Sequence, residues 1–78
     1  MYVVVQIERQ IKEYVSDIFM LQRYIENLKK FQRDKSVNAA KRKQIGIEIY
    51  IVQDFIAMLS NELAGLYLML TLDENERL

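Results

Sequence analysis

Glu48 and Glu62 are the residues of this 78-residue chain whose type and spacing come closest to a catalytic pair. Two carboxylates on one side of a helix can divide acid and base duties. These two, however, are separated by two heptads, roughly 21 Å at ~1.5 Å per residue. Paired carboxylates that act on one bond sit about 5–10 Å apart. They read instead as solvated charges flanking a helical bundle. The chain also has no histidine and no cysteine. That removes Ser–His and Cys–His nucleophilic pairs, thiolate ligands, disulfides and the commonest transition-metal ligand. No catalytic residue, cofactor or metal is expected, and the chain reads as a non-enzyme.

Positive charge is the other chemistry on offer. Seven basic residues gather in one stretch, at Lys29, Lys30, Arg33, Lys35, Lys41, Arg42 and Lys43, with only Asp34 opposing them. The first three close a helix, where cations complement the helix dipole. Lys41, Arg42 and Lys43 open the next one, where positive charge is unfavourable, and such a departure from local stability hints at function. With Lys35 they form a candidate contact for phosphate groups or for an acidic protein patch. Zero net charge and a pI near 6.2 weigh against nucleic acid. Phe31 is the sole aromatic among them.

The elements that carry these residues follow from two apolar seams in alternating 4-3 spacing. One comprises Val4, Ile7, Ile11, Tyr14, Ile18, Leu21, Ile25 and Leu28; the other comprises Ile45, Ile49, Val52, Ile56, Leu59, Leu63, Leu66 and Leu70. Such spacing stacks side chains along one side of an α-helix. The chain is therefore expected to be all-α, a single helical hairpin spanning 1–78. Helix 1 should cover about 3–33, a turn about 34–37, helix 2 about 37–72, and an acidic tail 73–78. A strand at Tyr2-Val3-Val4-Val5 is the competing reading, as in ribbon-helix-helix DNA binders, but Val4 and Ile7 continue the helical seam. Ser36 is the expected N-cap of helix 2, with Asp34 and Asn38 as substitutes. The apolar run Leu63 to Leu72 is short, and Gln53, Asp54, Asn61 and Glu62 interrupt what precedes it. Helix 2 is thus expected to fall short of the ~20 residues a membrane span requires. With no secretory signal visible, the chain is expected to be cytoplasmic, without a membrane partner.

A chain this small is marginal alone, and self-association is the remaining stabilising device. Apolar residues flank both seams: Val15, Phe19, Met20, Tyr24 and Phe31 on helix 1, and Ile47, Tyr50, Ile51, Phe55, Met58, Tyr67, Leu68 and Met69 on helix 2. Two hairpins in a four-helix bundle would cover most of them. The expected core and dimer contacts are Ile18, Leu21, Ile25, Ile49, Val52, Ile56, Leu59, Leu63 and Leu66. To these we add the small residues Ala57 and Ala64, beside Ser60 and Gly65, as points of close approach to a partner. Glutamates at 57 and 64 would then disrupt the dimer. Because Glu8, Glu13, Asp73, Glu74 and Glu76 lie at the end opposite the basic turn, antiparallel docking is favoured.

Ile45, Gly46, Tyr50, Val52, Gln53, Phe55, Ala57 and Leu59 together resemble the second helix of small helical-hairpin proteins from Sulfolobus spindle-shaped viruses. That resemblance implies an archaeal viral protein in the host-cell cytoplasm, an antiparallel four-helix-bundle homodimer, no established activity, and an adaptor role toward another protein. The plasmid RNA-binding regulator Rop has the same general architecture. The expected function is thus a dimeric, non-catalytic adaptor or regulator. The alternatives are a Rop-like nucleic-acid-binding regulator using Lys35, Lys41, Arg42 and Lys43, or a structural bundle element.

Overall fold

The seams do form a hairpin of two long helices. The computed structural model describes residues 2–76, with side chains described for residues 3–72. Helix α1 spans Tyr2–Arg33 and helix α2 spans Ala39–Glu76; there is no strand among the described residues. The N-terminal valines are helical, because Val4 and Ile7 must meet α2 on the same side as the rest of the seam. The rod measures 60 × 15 × 14 Å.

Every seam residue is buried or half-buried, and among the described side chains of α1 and α2 nothing else is, apart from Lys29, Gln32 and Gly46. The most enclosed are Ile7, Ile25, Ile45, Ile49 and Leu59. Ile25, Ile45 and Ile49 form one cluster beside the turn, with Leu28, Val37, Val52 and Ile56 packed around it. Val37 is thus an apolar plug carried by the turn itself.

The turn departs from expectation in one residue. Asn38, not Ser36, caps α2: its Oδ1 accepts the Lys41 amide at 2.8 Å, the third helical position, as an N-cap side chain does. Ser36 is already committed. Its amide and hydroxyl both donate to Asp34 Oδ1, at 2.9 and 2.8 Å, in a side-chain turn that reverses the chain after α1. Helix α2 accordingly starts at Ala39 rather than near residue 37. It also runs past Leu72 to Glu76; the last two residues of the expected acidic tail lie outside the described residues.

Arg42 corrects a second expectation, that the cations opening α2 lack a structural reason. Its Nε donates to the Gln32 carbonyl at 3.0 Å, and its Nη2 donates to the carbonyls of Asp34 and Val37 at 3.3 and 3.2 Å. In an antiparallel hairpin the first turn of α2 lies beside the last turn of α1. A cation that is unfavourable for its own helix therefore meets the carbonyl end of the other. Gln32 returns the contact, donating from Nε2 to the Arg42 carbonyl at 3.2 Å. Gly46 lies against this crossing: a Cβ there would stand 3.1 Å from Gln32 Nε2, a tight contact that the Gln32 side chain would have to yield to. Replacing Arg42 with methionine, which keeps the aliphatic bulk, should lower stability by about 1 kcal/mol, whereas Lys43→Met should leave it unchanged. Chemical denaturation of both variants checks this; equal effects would mean the guanidinium contacts contribute nothing.

Candidate interaction surfaces

Two hydrogen-bonded rungs cross one side of the hairpin. Tyr14 donates its hydroxyl to Glu62 Oε2 at 2.6 Å, and Tyr24 donates to Glu48 Oε1. Glu48 and Glu62 are exposed, as expected of flanking charges, and in addition accept hydrogen bonds that tie α1 to α2. The carboxylates hold both phenols above their ordinary pKa of 10.0, chiefly through these hydrogen bonds, because ionising the phenol would remove the donor and set two anions together. A raised folded-state pKa means the rungs stabilise fully below pH 10 and lose that contribution as pH climbs through the higher folded value. We expect thermal stability to fall above about pH 10, and to fall less in Tyr14→Phe/Tyr24→Phe, which has no such protons to lose. Melting temperatures at pH 8 and pH 11 for both chains provide the check; parallel declines would remove the rungs from the account.

The rungs define a side of the rod, and α2 lays a second 4-3 stripe along it. From Glu48 it continues through Ile51, Phe55, Met58, Glu62, Gly65, Met69 and Leu72. Its large apolar members are all about half exposed or more, from 45% at Phe55 to 60% at Ile51. Val3, Met20, Tyr24 and Phe31 extend the patch onto α1, since they fall on one face with the Tyr24 rung. Gly65 has nothing within 4 Å of where a Cβ would stand, so no contact inside the hairpin accounts for it.

The opposite side is different. There Gln22 and Gln53 line an open groove with Phe19. Ala57, Ser60 and Ala64 continue the face from Gln53 at 4-3 spacing, all exposed. The sequence grouped Ala57 and Ala64 with the seam as dimer contacts; the structure places them away from the large apolar stripe. Ile18, Leu21, Ile25, Ile49, Val52, Ile56, Leu59, Leu63 and Leu66 all take part in the α1–α2 seam.

At the basic end, Lys35, Lys41 and Lys43 are exposed, while Arg42 is held against α1. Asp34, the one acid there, has its carboxyl held below the usual range by the Ser36 amide and hydroxyl. Among the described residues no cluster of three or more potential metal ligands forms.

Helix α2 is also apolar on more than one side. By length and composition Ala39–Leu72 is long and apolar enough to cross a membrane, contrary to the expectation that it would fall short. Gln53, Asp54, Asn61 and Glu62 break the run, yet only two of the four are ionisable, too few to outweigh the Ile, Leu, Met and Phe around them.

No family model matches the chain, and no curated protein or solved structure shows significant similarity to it.

Proposed function

We propose that the chain is a non-catalytic adaptor or regulator that works as an antiparallel homodimer, two hairpins joined along the rung side into a four-helix bundle. The observation that carries this reading is surplus surface. The hairpin exposes 6356 Å². A compact monomer of its 9.3 kDa mass would expose roughly 5,000 Å². A long side of the rod, 60 Å by about 15 Å, projects roughly 900 Å², enough room for the ~800 Å² per partner of a stable interface. The stripe from Ile51 to Leu72 gives that side its apolar content.

Charge supports the antiparallel choice. Turns at opposite ends bring each set of Lys35, Lys41 and Lys43 to the partner's Glu8, Glu13 and acidic helix end; turns at the same end would stack like charges. The adaptor reading and a viral or archaeal origin rest further on the resemblance of Ile45 to Leu59 described above. The exposed lysines of the turn favour one second reading, a nucleic-acid-binding regulator.

Light scattering at low and high salt, with RNA and DNA added in parallel, tests the proposal. Twice the chain mass at both salt concentrations, unchanged by nucleic acid, is the expected result. A mass increase with nucleic acid that disappears as salt rises would make the basic turn the site. Recovery of the chain only with detergent or lipid vesicles would overturn both readings and put α2 in a bilayer.

A further inference from the structure

The groove opposite the rungs carries an inference about the adaptor's client, and it rests on the adaptor reading. Its floor is apolar, made by Phe19, Ile25 and Ile56. Its rim is basic, with Arg23, Lys29 and Lys30 against the single acid Glu26. The groove is open to solvent and has a volume of about 670 Å³. From Phe19 to Lys30 it runs for roughly 16 Å at ~1.5 Å per residue, three turns of a helix laid alongside.

The rim cations are not consumed by the hairpin. Among the described residues, the side-chain hydrogen bonds between α1 and α2 come from Tyr14, Tyr24, Gln32 and Arg42. Arg23 and Lys30 are exposed, and Phe19 is 59% exposed although it is the largest side chain on this face of α1. Along α2 the groove wall passes into Ala57, Ser60 and Ala64, whose short side chains leave room for a neighbouring backbone.

We propose that this groove, an apolar floor of Phe19, Ile25 and Ile56 rimmed by Arg23, Lys29 and Lys30, binds an acidic amphipathic helix of a partner protein. Bulky apolar residues at 3-4 spacing fill the floor, and flanking aspartates or glutamates meet the rim. The apolar floor selects a peptide over a phosphodiester chain, whose sugars and phosphates would leave it uncovered.

The test is a displayed library of three-turn helical peptides, apolar along one face and randomised among Glu, Gln and Lys on the flanks, panned against the full chain. Glutamate-rich flanks should be enriched. The selected peptides should lose about tenfold or more in affinity, by fluorescence anisotropy, for Arg23→Glu/Lys30→Glu and separately for Phe19→Asp. All three positions are exposed, so unchanged helicity and mass verify that the variants remain folded. Enrichment of neutral or lysine flanks, no enrichment over the double variant, or affinity unmoved by either variant would each overturn the proposal. So would a selected peptide that halves the chain's mass, because the groove would then be the self-association face. A chain that is monomeric yet binds the acidic peptides would instead sink the dimer and leave the groove standing.

Discussion

Ile45→Ala should lower the free energy of unfolding by about 2–4 kcal/mol, among the largest effects expected of a side-chain truncation in the hairpin. Ile45 is 4% exposed and joins Ile25 and Ile49 in the cluster beside the turn. Truncating it removes three buried carbons and leaves a void that the surrounding Val37 and Leu28 are expected to fill only in part. Against a total of about 5–15 kcal/mol for a typical domain, such a loss approaches collapse. Tyr50→Ala, five residues on and 73% exposed, should shift stability by less than about 0.5 kcal/mol. Urea unfolding of both variants at one chain concentration makes the comparison, the concentration being fixed because association adds to apparent stability. Similar midpoints for the two would mean that the α1–α2 seam does not hold the fold.

Phe55→Glu/Met58→Glu should convert the proposed dimer to a monomer, with helicity largely kept. Both residues sit in the middle of the apolar stripe on the rung side, and Phe55 lies midway in sequence between Glu48 and Glu62. Four new charges at the centre of a two-fold interface, two from each copy, would face one another in a desolvated setting that tolerates none of them. Ala57→Glu/Ala64→Glu, on the groove side, should leave the dimer intact, contrary to the expectation from sequence. Light scattering separates the cases: dissociation by the alanine replacements and not by the others would move the interface to the groove side. Orientation is tested separately, since the chain has no cysteine of its own. In antiparallel docking α2 crosses its own copy near the middle, so Phe55→Cys or Met58→Cys should form a disulfide-linked dimer and Tyr67→Cys should not. Turns at the same end would set α2 against the partner's α1, and no single cysteine on the stripe would meet its copy.

The seam was fully legible in the sequence because a helix converts 4-3 spacing into one face whatever else surrounds it. All of its members, from Val4 to Leu28 and from Ile45 to Leu70, are buried or half-buried in the hairpin. The turn was less legible because Asp34, Ser36 and Asn38 are chemically equivalent capping candidates. Their roles were decided by where α1 stops: Asp34 takes the Ser36 amide and hydroxyl, which leaves Asn38 to cap. Arg42 is hard to read from sequence because its charge opposes its own helix, whereas its partners are the Gln32 carbonyl at the end of α1 and the Asp34 and Val37 carbonyls of the turn. Likewise, the exposed apolar residues were visible one by one. Their division between the rung side and the groove side depends on which tyrosine meets which glutamate across the hairpin.

Ile25, Ile45 and Ile49 lie next to the turn, so only about twenty residues need close on themselves for that cluster to form. At the far end Ile7 has to find a part of α2 more than fifty residues away along the chain, at a greater cost in chain entropy. The Ile25–Ile45–Ile49 cluster and the Arg42 crossing thus coincide with the shortest loop. Loop-closure cost therefore favours folding that starts at the basic end and zips toward the termini, and hydrogen exchange is expected to be slower around Ile25 and Ile45 than around Ile7.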